Sequence, residues 1–491
     1  MSQYTVTLIE SFHHMNGQAR PAFGFRLTHW LALAEVLLGF SIVVAHSGVK
    51  SFWLDEAVAI RIVRDWATLI TELSGNEGAK HWLYHLPIFL MLMAGDSEFW
   101  LRSYSVFFAA ATVPIVLVLG RGIGGNKVGL AAALMFSVNH NLVAHAQEAR
   151  MYTMLVFFTA AAMYLFIRAN REPKLLNWLG FIGTGTLAIF THVFGVLTIL
   201  SLVCTAIFKM LRPLAMLRIG ASTMSIFMLA GAVIGLMGSS GMGGPLTTDW
   251  IPLPTARTIL GLAHFVSGQT LPWWFHVVVL MITAACSLGL IKHKKIDRWG
   301  SGVVLFCLIL PIAAVVAASY AVVPMFLNRY LIMCMVPYAL IVAIAFNQLR
   351  NDVLVAAAAI MFVISPARNV YGEYHKPRED WRSAVTFLQQ YTTIDDGVIF
   401  LPSYMAVPYG VYQQRFVTSG QWQHLPVELD GNAFAKNNDQ ATRRPRIWLV
   451  QTNYPSDTNP APVMSVLAAN YESQSLRDFA GVEVTLFTRK P

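Results

Sequence analysis

Charged residues are scarce in this sequence. They make up 12% of its 491 residues, whereas hydrophobic residues make up 56%. A soluble domain carries about a quarter charged residues, so this chain cannot cover a water-facing surface along its whole length. The mean hydropathy of +0.54 points the same way. A lipid bilayer is therefore the solvent that suits most of the chain.

Cysteine is rare as well. The four cysteines lie inside apolar runs and show no paired spacing, which predicts small buried hydrophobic residues rather than disulfides or a zinc site. They are Cys204, Cys286, Cys307 and Cys334. HExxH, Walker and phosphate-cradling glycine motifs are missing too. The glycine-rich stretch 238–244 lies in a predicted loop. These absences argue against ATP-driven transport.

An excess of acidic residues is also lacking, and the formal net charge is +9. On a soluble protein this charge would indicate nucleic-acid binding. Here the basic residues form short clusters between apolar runs, which is the pattern of membrane orientation signals. We therefore expect no nucleic acid among the partners. No small-residue cleavage pattern follows the first long apolar run near Trp30, so that run is expected to be a retained signal anchor.

Long apolar runs recur along the chain, and a membrane-spanning helix needs about 20 mostly apolar residues. Eleven runs are predicted to span: 30–48, 103–121, 128–145, 151–168, 176–193, 194–210, 219–237, 273–291, 302–322, 330–348 and 352–367. The run 82–94 is shorter and contains His85 and Pro87. It predicts a helix that lies in the membrane interface within the first outer loop.

The basic residues decide the orientation of these spans. With the N-terminus inside and 82–94 interfacial, the basic clusters, such as the one at 292–298, all fall on the inner side. Outer loops then hold only scattered basic residues, as the positive-inside rule requires. Treating 82–94 as a span would place four basic clusters outside. An odd number of spans leaves the C-terminus outside, on the periplasmic face of a bacterial inner membrane.

Three segments follow from this pattern: an inner tail at 1–29, a transmembrane domain at 30–367 and an outer domain at 368–491. The last segment is richer in polar residues and contains no predicted span. Its helical spacing at 380–391 and its apolar runs predict a small α/β domain. The predicted strands are 398–402, 446–452 and 482–487.

The acidic pair Asp55-Glu56 follows the first span directly. Carboxylates beside a membrane are costly unless they are solvated or paired. One interpretation is a catalytic carboxylate that accepts or orients the proton of an attacking hydroxyl. The alternative is two ordinary loop charges beside the interfacial Trp53.

Arg150 and Arg329 lie at outer span ends, where arginine is disfavoured. A guanidinium pairs bidentately with phosphate, so both are candidates for a phosphate clamp. The alternatives for Arg150 are a salt bridge to Glu148 or snorkelling. Lys80, at the start of the interfacial helix, is a third candidate or a plain interfacial anchor.

Three histidines lie near these groups in the sequence. His192, near the outer end of the fifth span, is expected to be a buried, hydrogen-bonded core histidine rather than a ligand. His140 and His145 are weak metal candidates, because no carboxylate stands at helical spacing from them.

The order of these short motifs resembles the GT-C membrane glycosyltransferases, in particular the branch of protein O-mannosyltransferases and the lipid A aminoarabinose transferase. The resemblance covers about residues 1–370. The motifs are Trp53-Leu54-Asp55-Glu56, Lys80-His81-Trp82-Leu83-Tyr84, Leu101-Arg102-Ser103-Tyr104-Ser105, Gln147-Glu148-Ala149-Arg150-Met151-Tyr152, Asn328-Arg329-Tyr330 and Asp380-Trp381-Arg382. The family's double proline is replaced here by His81-Trp82, which puts the first-loop helices and Lys80 in question.

The resemblance implies an α-helical polytopic enzyme that takes a sugar from a polyprenyl-phosphate donor. The acceptor would be a hydroxyl of a glycan, lipid or protein. Asp55 and Glu56 would form the catalytic pair, in which Asp55 accepts or orients the acceptor proton and Glu56 steadies the site by pairing with a basic group. Arg150, Arg329 and Lys80 would bind the donor phosphate. Tyr152, His81 and Tyr330 would support them. Some relatives bind a divalent metal near the acidic pair; this sequence neither requires nor excludes one.

A secondary transporter or lipid flippase is the alternative from another class. It would explain many spans with charges at the outer ends. It would also place ionisable residues inside spans and show paired half-sequences. The spans here are nearly free of charge, and no inverted repeat is visible.

Overall fold

The chain was analysed as a computed structural model. It describes residues 22–64, 67, 69–70, 82–205, 213–237, 251–291, 296–349, 352–422, 425–435, 444–453 and 459–491. The inner tail up to residue 21, Lys80, His81 and the glycine-rich stretch 238–244 lie outside the described residues.

Helices dominate the first three quarters of the chain, as the apolar runs predict. They are α1 (Ala22–Val44), α2 (Leu54–Arg64), α3 (Trp82–Leu92), α4 (Glu98–Gly124), α5 (Asn126–Ser137), α6 (His140–Ala146), α7 (Tyr152–Arg171), α8 (Leu175–Thr191), α9 (Gly195–Cys204), α10 (Pro213–Met237), α11 (Ala256–Ser267), α12 (Trp273–Leu288), α13 (Arg298–Ala321), a 3-10 segment (Asn328–Cys334), α14 (Met335–Asn347) and α15 (Asp352–His375).

Each of the eleven predicted spans overlaps one of these helices. Among the described residues, five helical stretches are long and apolar enough to cross a membrane: Glu98–Gly124, Tyr152–Arg171, Pro213–Ala232, Arg298–Ala321 and Asn328–Asn347. Other apolar helices, such as α8 and α9, are shorter. The chain is thus a multi-pass helical protein, while the number eleven and the sidedness stay predictions.

The predicted span 128–145 is not one helix. It breaks between α5 and α6, because the Asn139 side chain caps the second helix by accepting hydrogen bonds from the backbone N–H groups of Asn141 and Leu142. Its Nδ2 also donates to the carbonyl of Val266 at 2.9 Å. Asparagine favours such caps over helix interiors, so the break is local in origin.

Two further boundaries differ from the sequence analysis. The loop predicted over 238–272 contains α11, which begins with a reciprocal capping box of Thr255 and Thr258. It ends at Gly268, whose φ of +70° is left-handed and suits glycine. At the other boundary, α15 continues past residue 367 to His375, so the predicted domain limit falls inside a helix.

The C-terminal segment forms the predicted α/β domain. Its elements are α16 (Trp381–Tyr391), β1 (Gly397–Leu401), α17 (Ala406–Thr418), β2 (Val427–Leu429), α18 (Gly431–Ala435), β3 (Arg446–Thr452), α19 (Pro460–Asn470), β4 (Tyr471–Asp478) and β5 (Val482–Arg489). The strand order is β2-β1-β3-β5-β4, with β2, β1 and β3 parallel and β5 antiparallel to both β3 and β4. The predicted helix and all three predicted strands are confirmed.

The domain is held together around Asp396, just before β1. Burial alone would raise the pKa of this carboxyl, but hydrogen bonds from Arg446 and Trp448 lower it below its usual range. Strands β1 and β3 are buried on both faces, so they read as continuous apolar runs. The domain contacts the same end of the helical bundle as the loop between α1 and α2, because Tyr412 in α17 hydrogen-bonds Phe52.

Candidate active site

Asp55 lies between two arginines that come from distant parts of the chain. Its Oδ2 is 3.6 Å from Arg150 Nη2 and 3.7 Å from Arg329 Nη1. The Asp55 side chain stays 26% exposed, and those of Arg150 and Arg329 are 14% and 31% exposed. The sequence singled out all three groups separately. The structure brings them together at one partly open point.

Aromatic residues surround Arg150. Its Nη1 donates to the hydroxyl of Tyr84 at 3.1 Å and to the Asp55 carbonyl at 3.3 Å. The guanidinium also lies over the rings of Tyr84 and Tyr152, 5.4 and 6.0 Å from their centroids. Such contacts stabilise a cation where water is scarce. Tyr152 therefore lies at the site, as the sequence predicts, and Tyr84 of α3 joins it.

Arg329 has a parallel environment. Its guanidinium carbon lies 5.8 Å from the ring centroid of Tyr330. That ring is 5.3 Å from the ring of His192, which is buried and accepts a hydrogen bond from the Phe194 N–H. His192 is thus the hydrogen-bonded core histidine that the sequence predicts. It forms part of the wall behind the arginines.

Both arginines keep unused donor capacity. The Nε atoms of Arg150 and Arg329 are buried and donate no hydrogen bond to any residue that the structure describes. The ion pairs to Asp55 are longer than an ideal charge-assisted hydrogen bond of about 2.7–2.9 Å. Each of the two guanidiniums therefore keeps an N–H group that makes no hydrogen bond within the described residues.

Glu56 faces the opposite way from Asp55. It is fully buried and forms a bidentate pair with Arg102, with Nε–Oε1 and Nη2–Oε2 distances of 2.8 and 2.7 Å. It also accepts hydrogen bonds from the backbone N–H groups of Ala149 and Trp53. With all these partners Glu56 has no contact to the opening. Its pairing with Arg102 is of the kind that the resemblance implies, a contact between Glu56 and a basic group, and its place in the catalytic pair stays a prediction.

Arg102 completes this buried network. It is fully buried and donates to the carbonyls of Ser47, Lys50 and Ser51 as well as to Glu56. One guanidinium therefore fixes the segment between α1 and α2. This segment leads directly into the first turn of α2, which contains Asp55. The sequence showed Arg102 only as part of a motif, because nothing in its spacing reveals a partner 46 residues away.

Glu148 does not pair with Arg150, as one interpretation of the sequence had proposed. It pairs with His145 at 3.1 Å and with Arg378 at 2.8 Å. Glu148 stands three residues after His145, so the expectation that no carboxylate lies at helical spacing from this histidine is wrong. Burial alone would raise the pKa of Glu148, but the charges and hydrogen bonds of His145 and Arg378 lower it to about 2. Arg150 thus remains available to Asp55.

Comparisons with known proteins bear on this arrangement. Residues 68–238 match the family model of dolichyl-phosphate-mannose-protein mannosyltransferases. A comparison with curated protein sequences yields no match.

Solved structures are similar over most of the chain. ArnT from Cupriavidus metallidurans bound to undecaprenyl phosphate has 12% identity and a TM-score of 0.62, over 93% of this chain and 98% of that one. The archaeal oligosaccharyltransferase AglB from Archaeoglobus fulgidus, in complex with an inhibitory peptide and a dolichol-phosphate, has 10% identity and a TM-score of 0.54, over 88% and 70%. Arabinofuranosyltransferase AftD from Mycobacteria has 14% identity and a TM-score of 0.51, over 95% and 40%.

The chain has the GT-C fold. In this GT-C chain the candidate site lies where the ends of α4, α7 and α8 meet the 3-10 segment before α14. The first-loop helices α2 and α3 contribute Asp55 and Tyr84 to it. The resemblance seen in the sequence motifs is therefore confirmed at the level of fold.

A metal near Asp55 finds little support in the donor set. Within the described part of the chain, no group of three or more His, Cys, Asp or Glu side chains is placed to hold a metal ion. Glu56, the nearest carboxylate in sequence, is saturated by Arg102. The AglB structure with Zn and sulfate belongs to another protein. In the described residues, the positive groups that pair with Asp55 are the guanidiniums of Arg150 and Arg329.

Proposed function

We propose that this chain is an inverting glycosyltransferase that moves a sugar from a polyprenyl-phosphate donor to a hydroxyl acceptor on the outer face of the membrane. The observation that carries the proposal is the convergence of Asp55, Arg150 and Arg329 at one partly exposed point. A carboxylate and two guanidiniums provide a proton acceptor and a binding site for a phosphate.

The proposed chemistry needs no general acid. The acceptor oxygen attacks the anomeric carbon of the sugar, and the bond from that carbon to the phosphate oxygen breaks. The polyprenyl phosphate leaves as a stable anion, and Asp55 takes the proton of the attacking hydroxyl. Arg150 and Arg329 stabilise the negative charge that gathers on the phosphate. Direct displacement inverts the anomeric configuration.

From one position, Asp55 pairs with the arginines that bind the donor phosphate and accepts the proton of the acceptor hydroxyl. In the free protein its charge balances the two arginines. A bound phosphate takes over part of that balance and weakens the hold of the arginines on Asp55. Asp55 is then free to accept the proton of the attacking hydroxyl.

The comparisons support the donor class. The ArnT and AglB structures that resemble this chain hold undecaprenyl phosphate and dolichol-phosphate, respectively. The matched family is named for dolichyl-phosphate-mannose. We extend the shared chemistry, a polyprenyl-phosphate carrier, to this chain. The outer location follows from the distribution of basic residues between loops.

The experiment is a transfer assay with the purified full-length protein and a panel of polyprenyl-phosphate sugars, read by mass spectrometry. Asp55→Asn is expected to lower turnover by about a hundredfold or more, because general-base contributions reach this size. Asp395→Asn changes an exposed aspartate of the C-terminal domain in the same way and is the matched control. Undiminished turnover by Asp55→Asn would remove Asp55 from the mechanism. Movement of intact donor across proteoliposomes without sugar transfer would favour the flippase alternative.

A further inference from the structure

A cavity that is separate from the candidate active site lies near it. It has a volume of about 810 Å³ and lies between α6, α11 and α15. Its wall is rich in nitrogen donors from side chains, contributed by His140, His264, Gln269, Arg368, Asn369 and Lys376. The proposed transfer chemistry at Asp55 uses none of these groups.

One backbone carbonyl fastens the three walls together. The carbonyl of Gly268 accepts hydrogen bonds from His140 Nδ1 of α6 at 2.9 Å and from Asn369 Nδ2 of α15 at 3.0 Å. Gly268 itself ends α11, and a Cβ there would lie 2.9 Å from Cγ of Asn139. The cavity is thus a built feature with a fixed floor rather than a chance gap between helices.

The charge of the cavity wall is positive. Arg368 and Lys376 are exposed, and neither forms an ion pair with a residue in the described ranges. Glu373 is the one acidic residue in the lining. Its carboxylate pairs with Lys50 at 3.2 Å and lies 3.9 Å from Arg378. Lys50 therefore balances the single charge of Glu373, since Arg378 lies closer to Glu148, and the charges of Arg368 and Lys376 remain uncompensated.

Gln269 adds an independent observation. Its side chain lines the cavity although the residue is only 3% exposed. Its Nε2 makes no hydrogen bond to any described residue. A buried amide donor without a partner costs about 1–3 kcal/mol, so such a group is normally satisfied by something. An anion oxygen in the cavity would satisfy it.

We propose that this cavity binds a phosphate-bearing group through Gln269, Arg368 and Lys376. Two positive charges and a neutral amide donor match the oxygens of a phosphate. The same chemistry fits an acceptor that carries a phosphate and the headgroup of an anionic bilayer lipid. The acceptor assignment alone rests on the proposed transferase function, whereas the anion site does not.

The cavity is close enough to the active site to matter for an acceptor. Phe265 lines the cavity, and its ring lies 5.8 Å from that of His145. His145 in turn lies 4.8 Å from the ring of Tyr152, which packs against Arg150. Three successive ring side chains, those of Phe265, His145 and Tyr152, therefore lie between the cavity and Arg150. An acceptor anchored by its phosphate in the cavity and long enough to extend past these rings would present a hydroxyl to Asp55.

The test labels Lys376 in the full-length protein held in nanodiscs of neutral phosphatidylcholine. An amine-acetylating reagent is added with and without inorganic pyrophosphate, and acetylation is read residue by residue with mass spectrometry. We expect pyrophosphate to slow labelling of Lys376 at least fivefold while the exposed Lys490 is unaffected. Because the readout is site-resolved, pyrophosphate bound at Arg150 and Arg329 does not confuse it.

Two variants connect the protection to the proposed ligands. Arg368→Gln and Gln269→Leu should each raise the pyrophosphate concentration needed to protect Lys376 about tenfold, since each removes a hydrogen-bond donor to the anion. Arg477→Gln, on the exposed strand β4, is the charge-matched control and should leave it unchanged. Protection that survives both cavity variants would overturn the proposal, as would the absence of protection in the wild type.

Nanodiscs that contain phosphatidylglycerol distinguish the two sources of the phosphate, which are the headgroup of a bilayer lipid and a phosphate on the acceptor. If a bilayer headgroup is the ligand, these nanodiscs alone protect Lys376, and Arg368→Gln abolishes the effect. If the ligand is a phosphate on the acceptor, phosphatidylglycerol leaves Lys376 reactive and pyrophosphate still protects it. Either result supports an anion site and assigns its source. Labelling does not require turnover, so loss of the transferase proposal would show separately in the Asp55→Asn assay.

Discussion

The hydroxyl of Tyr412 accepts a hydrogen bond from the backbone N–H of Phe52 at 2.7 Å. The same hydroxyl donates to Glu98 at 2.6 Å. Phe52 lies three residues before Asp55, at the entrance to α2. One side chain of the C-terminal domain thus holds the segment that presents the candidate base.

Further contacts strengthen this connection. Glu98 also pairs with Arg382 at 2.9 Å and with Arg415 at 3.3 Å. Ser51 donates to the Asp380 carboxylate at 2.9 Å. The C-terminal domain therefore positions the segment between α1 and α2 directly.

Tyr412→Phe is expected to lower kcat several-fold and leave the KM for the donor nearly unchanged. The ring still packs against Phe52, but the Phe52 N–H loses its partner, and an unsatisfied buried donor costs about 1–3 kcal/mol. Steady-state kinetics measure the split. Tyr409→Phe removes another buried hydroxyl of α17, one that meets Gln413, and serves as the control. Equal losses in the two variants would argue for a general weakening of the domain.

Replacing Asp55 and Glu56 by their amides should have different effects on thermal stability. Glu56→Gln leaves Arg102 as a buried charge without a counterion, which is expected to destabilise the protein by about 3–5 kcal/mol. Asp55→Asn should leave thermal stability nearly unchanged, because its ion pairs are partly exposed. Thermal unfolding in detergent, followed by tryptophan fluorescence, measures both. A destabilisation by Asp55→Asn as large as that by Glu56→Gln would contradict this division.

Arg150→Lys is expected to lower kcat about a hundredfold, because removing one preorganised donor from a charge-stabilising site costs about 10²–10³ in kcat. The substitution keeps the charge, but an ammonium cannot reproduce the planar fork of the guanidinium. Transfer kinetics with a polyprenyl-phosphate sugar provide the measurement. Arg168→Lys, at the other end of α7, is the matched control. An effect confined to the KM for the acceptor would contradict the prediction, because it would mean that Arg150 binds the acceptor rather than the donor phosphate.

The Glu148 ion pairs predict a pH dependence of stability. The pKa of Glu148 is lowered from 4.5 to about 2 in the folded protein. A carboxyl with a lowered folded pKa contributes stability above its unfolded pKa and loses it as the pH falls. Its contribution should therefore be full above pH 4.5 and decline between 4.5 and about 2.

The measurement compares thermal unfolding of wild type and Glu148→Gln across this range. The difference between them should shrink as the pH falls towards 3, about one unit above the folded pKa. Glu472→Gln, on the exposed strand β4, should show no such trend. A difference that stays constant with pH would mean that Glu148 acts through packing rather than through its charge.

The sequence revealed the site residues whose positions conflict with their surroundings. Arg150 and Arg329 stand out because arginine is disfavoured on the outer side of a span, and Asp55 stands out as an acid beside the membrane. Sidedness alone gathers such residues on one surface. Their convergence to within 4 Å required the packing of α2, α7 and the 3-10 segment, which local spacing does not encode.

The features that the sequence did not reveal have different physical causes. The partner of Glu56 is 46 residues away and that of Glu148 is 230 residues away, so no local pattern marks either pair. Strand β4 was missed because it is an exposed edge strand with a polar sequence. The long apolar run 128–145 concealed the break at Asn139, because hydropathy averages over a single capping residue.

The opposite orientation of Asp55 and Glu56 depends on their places in the first turn of α2. Successive residues of an α-helix point about 100° apart, and Glu56 is fixed at the third helical position, where its carboxylate meets the N–H of Trp53. Insertion or deletion of one residue between α1 and α2 would rotate the acidic pair and offer the arginines the wrong carboxylate. The length of this connection is therefore constrained by Arg102, which holds three of its carbonyls in the interior and so fixes where α2 begins.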